Sequence, residues 1–81
     1  MTPRDAIREF LGRHLRMQAV RDEDDIFATG LVSSLFAMQL VTFVEKQFRI
    51  TVEPAELKLD NFRSVVAIAA FVERVRAGTG G

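Results

Sequence analysis

The chain has 81 residues, with eleven Lys+Arg against eleven Asp+Glu, one His, no Cys and 48% hydrophobic residues. That length holds one domain, and the hydrophobic share is enough for a core and too high for a disordered segment. Zero net charge argues against nucleic acid or an anionic membrane as the main partner, and the lack of cysteine excludes disulfide scaffolds, thiolate metal sites and a Cys nucleophile.

Thr2 followed by Pro3 reads as a helix start: a hydroxyl N-cap, proline at the first helical position, then Asp5 in the first turn. Ile7, Phe10, Leu11 and Leu15 recur at helical spacing, opposite Arg8, Glu9, Arg13 and Arg16, and predict a helix ending between Leu15 and Gln18. Charges at Arg4, Asp5, Arg8 and Glu9 leave no signal-peptide core, and no apolar run approaches the length of a membrane span, so the expectation is a soluble, cytoplasmic protein. Residues 19–33 lose the helical period and predict a long loop carrying Arg21-Asp22-Glu23-Asp24-Asp25, pinned by Ile26 and Phe27.

The period returns between Ser34 and Phe48. Phe36, Ala37, Leu40, Val41, Phe43, Val44 and Phe48 fall in one arc, with Gln39, Thr42, Glu45 and Lys46 opposite. Arg49 to Val52 suits a short extended stretch, Pro54 and Leu57-Lys58-Leu59-Asp60 a loop with a helical turn, and Asn61-Phe62-Arg63 a further short turn. Ser64 caps a last helix whose inner face is Val65, Ile68, Ala69, Val72 and Val75. Together these elements predict an all-α bundle of three main helices plus one short one, in a single domain over 1–77, with 78–81 as a disordered glycine-rich tail.

No arrangement of side chains suggests catalysis. Asp22-Glu23-Asp24-Asp25 lacks the spacing and the glycine of a calcium loop and reads as a solvated acidic run, so no metal site is expected. His14 has no triad partner, and Gly30 stands alone rather than in a phosphate cradle. The informative junction is Gly30-Leu31-Val32-Ser33-Ser34-Leu35. A cap accounts for one serine, but not for the second, nor for Leu35 and Met38, which fall on the polar side of the helix beside Gln39 and Thr42. Apolar side chains at that boundary suggest a docking surface.

The stretch Asp25-Ile26-Phe27-Ala28-Thr29-Gly30-Leu31-Val32-Ser33-Ser34-Leu35 resembles the carrier-protein pattern of an acidic residue, an aromatic, then Gly-Leu-Val/Leu-Asp-Ser-Leu/Met. Chain length, four-helix layout, long first loop and the Asp60-Asn61-Phe62-Arg63-Ser64 approach to the last helix extend the likeness over essentially the whole chain. Resemblance to acyl and peptidyl carrier proteins implies a small four-helix carrier bundle that is not an enzyme. It also implies a 4′-phosphopantetheine arm attached covalently at Ser34, with Leu35, Met38, Gln39 and Thr42 docking partners. An arm on that serine would place its phosphodiester at the positive end of a helix. Where the family has Asp before the modified serine, this chain has Ser33, a rival hydroxyl, and the choice of modifying transferase is left open.

Strongly acidic second helices mark fatty-acid carriers, and Gln39, Thr42, Glu45 and Lys46 do not make one. Gly30 to Lys46 and Asp60 to Ser64 are most similar to discrete carriers that hold glyceryl-, hydroxymalonyl- or methoxymalonyl-type extender units for polyketide synthases. This likeness implies a role in polyketide and antibiotic biosynthesis, holding an acyl intermediate as a thioester. The implied partners are a phosphopantetheinyl transferase, an acyl-loading enzyme, and polyketide synthase acyltransferase, ketosynthase or tailoring dehydrogenases; the implied state is a monomer. Discrete aminoacyl or peptidyl carriers, the D-alanyl type included, share the pattern and remain the alternative, and an unmodified helical adaptor is the alternative from a different class.

Overall fold

In a computed structural model, residues 2–15, 21–27 and 34–79 are described, without the side chains of Leu15, Ser34 and Thr79. Four helices follow one another: α1 (Pro3–Leu15), α2 (Ser34–Phe48), α3 (Leu59–Phe62) and α4 (Val65–Thr79), with a 3-10 turn at Pro54–Glu56 before α3. The described residues contain no strand. The predicted all-α class and the three-plus-one helix layout are what the described residues show.

Local chemistry explains most of the boundaries. At α1 the Asp5 backbone N–H donates to the Thr2 hydroxyl at 3.2 Å, and the Thr2 N–H donates back to the Asp5 carboxylate at 3.1 Å. Two orphan donors are thus satisfied reciprocally, as in a capping box. The Thr2 backbone N–H, then its hydroxyl and the Arg8 charge, hold the Asp5 carboxyl below its ordinary value. Ser64 caps α4 as expected, its Oγ accepting from the Ala67 N–H at 3.1 Å.

The end of α2 differs from the extended stretch expected there. Arg49 takes a left-handed conformation at φ 56°, and the Ile50 N–H donates back to the Glu45 carbonyl at 3.1 Å. This closes the helix in the manner of a Schellman motif, with arginine where glycine is usual. The Glu45 carboxylate then accepts from the Val52 N–H at 2.9 Å. Glu45 is consequently half-buried rather than on a solvated face.

The core is built from Ile7 and Leu11 of α1, Leu40 and Val44 of α2, and Val65, Ile68, Phe71 and Val72 of α4. Phe71, absent from the predicted inner face, is fully buried and meets Phe62 with ring centroids 5.3 Å apart. Phe43, placed in the buried arc of α2, is only half-buried and stacks on Phe10 at 4.2 Å along the α1–α2 seam. Ile26 is fully buried and Phe27 packs against the core, so the acidic loop is pinned where the sequence predicted. Helix α4 runs through Gly78 and Thr79, beyond the expected start of the tail, while Gly80 and Gly81 lie outside the described residues.

Candidate functional site

Helix α2 begins at Ser34, and its first turn holds no acidic residue. Unpaired N–H groups and the positive dipole end at such a start favour an anion, and no carboxylate in that turn opposes one. The chemistry there fits a phosphodiester. Gly30 and Ser33 lie outside the described residues, as does the Ser34 side chain.

Beyond Ser34, the predicted docking residues share one face. Leu35 and Met38 are 70% and 60% exposed, and Gln39 and Thr42 are exposed beside them. Their spacing of three, four and seven residues from Leu35 forms a stripe along one side of a helix, with buried Phe36, Leu40 and Val44 behind it. The stripe carries no charge.

Two further apolar side chains join this surface from a different element. Leu57 and Leu59, just before and at the start of α3, are 49% and 52% exposed. With Met38, Ala37, Val41 and Phe62 they line an apolar groove of about 240 Å³ between α2 and α3. Lys58 between them is extended (φ −116°, ψ 142°), so alternation along the backbone turns both leucines to one side. A leucine on either side of a lysine, shortly after Pro54 and with no helical partner, is the signal in the sequence, but it names no surface for them to join.

The acidic run is solvated at Glu23, as expected, but Asp22, Asp24 and Asp25 are half-buried and bonded. Asp22 faces Arg4 at 3.3 Å and Arg8 at 3.5 Å, its carbonyl accepts from the Val66 N–H at 3.0 Å, and the Asp24 carboxylate accepts from the Arg21 N–H. Asp25 faces Arg63 at 3.5 Å and accepts from the Phe27 N–H at 3.0 Å. The Ile26 N–H donates to the Arg63 carbonyl at 2.8 Å. The two stretches on which the family resemblance rests, around Asp25 and around Arg63, are therefore bonded to each other. Their described parts hold the loop against α4 rather than supplying chemistry.

His14 also has a structural place. Its ring stacks on Phe10 at 4.1 Å, and its Nδ1 donates to the Phe10 carbonyl at 3.0 Å. Among the described residues no group of His, Cys, Asp and Glu could hold a metal ion. No described helix is long and apolar enough to cross a membrane.

A family model described as phosphopantetheine attachment site matches residues 4–72, from the first turn of α1 well into α4. The chain belongs to that family. No curated protein matches it. Domains of this family are non-catalytic carriers that hold 4′-phosphopantetheine covalently and interact with a phosphopantetheinyl transferase and with acyl-handling enzymes. This chain is thus a non-catalytic, phosphopantetheine-carrying carrier protein.

Proposed function

We propose that Ser34 carries the arm and that the protein is a discrete acyl carrier of polyketide-type secondary metabolism. On this reading it holds glyceryl-, hydroxymalonyl- or methoxymalonyl-type extender units. The observation that carries the proposal is the uncharged stripe Leu35, Met38, Gln39 and Thr42, exposed along α2 and starting beside Ser34. Partners reading this stripe do so through apolar and polar contacts, in contrast to the charge-led recognition expected of a strongly acidic helix.

When attached, the arm supplies a terminal thiol that holds the acyl group as a thioester. The chain's own residues have simpler tasks. The first turn of α2 offers backbone N–H groups to the phosphodiester. Leu35 and Met38 offer apolar area to the transferase, the acyl-loading enzyme and the synthase acyltransferase, ketosynthase or tailoring dehydrogenase in turn. A carrier that presents its arm to successive enzymes works as a monomer.

Intact-protein mass after incubation with coenzyme A and a broad-specificity phosphopantetheinyl transferase tests the attachment. Wild type and Ser33→Ala gain one phosphopantetheine increment, and Ser34→Ala gains none. Retention of the increment by Ser34→Ala would assign the arm elsewhere. Presenting the loaded-arm form to an acyl-loading and to an aminoacyl-adenylating enzyme then tests the cargo class: an acyl increment is expected, and an aminoacyl increment would replace the polyketide reading with the peptidyl one.

A further inference from the structure

Residues 53–62 cross the molecule between the end of α2 and the start of α4 as a strap that is barely embedded in the core. The 3-10 turn buries none of its residues and α3 buries only Phe62. Neither short helix has a side-chain cap. Backbone N–H groups of Glu56, Leu57, Lys58 and Asn61 donate to carbonyls of Glu53, Pro54, Glu56 and Lys58, all within the segment. These bonds shape the strap and do not fasten it.

Asn61 does fasten it. Its Nδ2 donates to the Glu56 carbonyl at 2.8 Å, with the Glu56 carboxylate at 3.4 Å, and its Oδ1 accepts from the Arg74 guanidinium at 3.0 Å. Arg74 is itself set over the ring of buried Phe71, 5.8 Å from the centroid, and Phe71 contacts Phe62. One amide therefore ties the turn to α3 with its donor end and to α4 with its acceptor end. A carboxylate at the same place would keep the acceptor and lose the donor.

We propose that Asn61 is a positioning residue: it latches the strap 53–62 to α4 and so sets the width of the apolar groove between α2 and α3, whose outer wall is Leu57 and Leu59. Releasing the latch swings that wall, while Phe62 keeps α3 attached.

Native-state hydrogen exchange on the full chain tests this with Asn61→Asp and Arg74→Gln. Asn61→Asp retains an acceptor for Arg74 but sets oxygen against the Glu56 carbonyl and carboxylate. Exchange at the Leu57 and Lys58 amides then rises roughly tenfold or more, with the Ile68 and Val72 amides in α4 unchanged. The Met38 methyl resonance shifts and tryptic cleavage after exposed Lys58 accelerates in parallel. Arg74→Gln gives the same pattern more weakly. Unchanged strap exchange and Lys58 cleavage in Asn61→Asp would overturn the proposal, as would an equal rise throughout α4, which marks general destabilisation.

Discussion

Helices α2 and α4 have the same length, 15 residues, and a serine at their start, yet the two starts are built differently. Ser64 stands just outside α4, is buried, and commits its oxygen to the Ala67 N–H. Its helix turns Val65, Ile68, Phe71 and Val72 inward and Ala70, Glu73 and Arg74 outward. Ser34 is the first residue of α2 itself, and the outward residues that follow in its first turns, Leu35, Met38, Gln39 and Thr42, carry no charge. A serine at a helix start is therefore weak evidence of function by itself. What separates the two is the company: the capping serine is followed on its outer side by half-buried Val66 and Ala67 and by small Ala70, and the proposed attachment serine by exposed leucine and methionine.

The largest effect that sharpens the contrast lies in the α4 core. Phe71→Ala should lower stability by about 3–5 kcal/mol, because it opens a void beneath α3 and α4. Phe43→Ala, half-buried at the α1–α2 seam, should cost clearly less in the same urea titration. Equal losses would mean that the seam is as much core as the α4 interior. Next comes the cap: Ser64→Ala should cost about 0.5–2 kcal/mol and leave the phosphopantetheine mass increment intact, the reverse of the pattern for Ser34→Ala.

A smaller effect is set by pH. The folded Asp5 carboxyl sits below its ordinary value, held there first by the Thr2 N–H and then by the Thr2 hydroxyl and Arg8. A depressed carboxylate stabilises the fold above its unfolded pKa, and that contribution is lost as pH falls through the folded value. Asp5→Ala should therefore lose less stability than wild type on acidification below about pH 4, measured by denaturant unfolding at successive pH values. Parallel acid limbs would show that the α1 cap contributes nothing there. The smallest stability change belongs to Met38→Ala, expected within about 0.5 kcal/mol, with slowed transfer by partner enzymes as its signature. A loss of several degrees in Tm would place Met38 among the core residues of α2 and remove the difference between the two helices.

Much of this was legible in the residues. The helical period placed α1, α2 and α4, Thr2 and Ser64 announced their caps, and Leu35, Met38, Gln39 and Thr42 fall together on the exposed face that their spacing implied. Periodicity and capping depend on neighbours three or four positions away, so a linear reading reaches them. It did not reach Phe71, because the first two turns of α4 are apolar all round, and it takes Phe62, brought in by α3, to cover the Phe71 side. Nor did it reach the pairing of Asp22 and Asp25 with Arg4, Arg8 and Arg63, which turns a charge run into a fastening.

Fold class, the main helices, the exposed face of α2 and the resemblance that pointed to a carrier are all written in local patterns of residues. No local pattern foretells that Leu57 and Leu59 join Met38 around one groove, or that Asn61 bridges Glu56 to Arg74. Those contacts join residues from 5 to 21 positions apart through short segments with no period of their own, and chain folding alone brings them within reach.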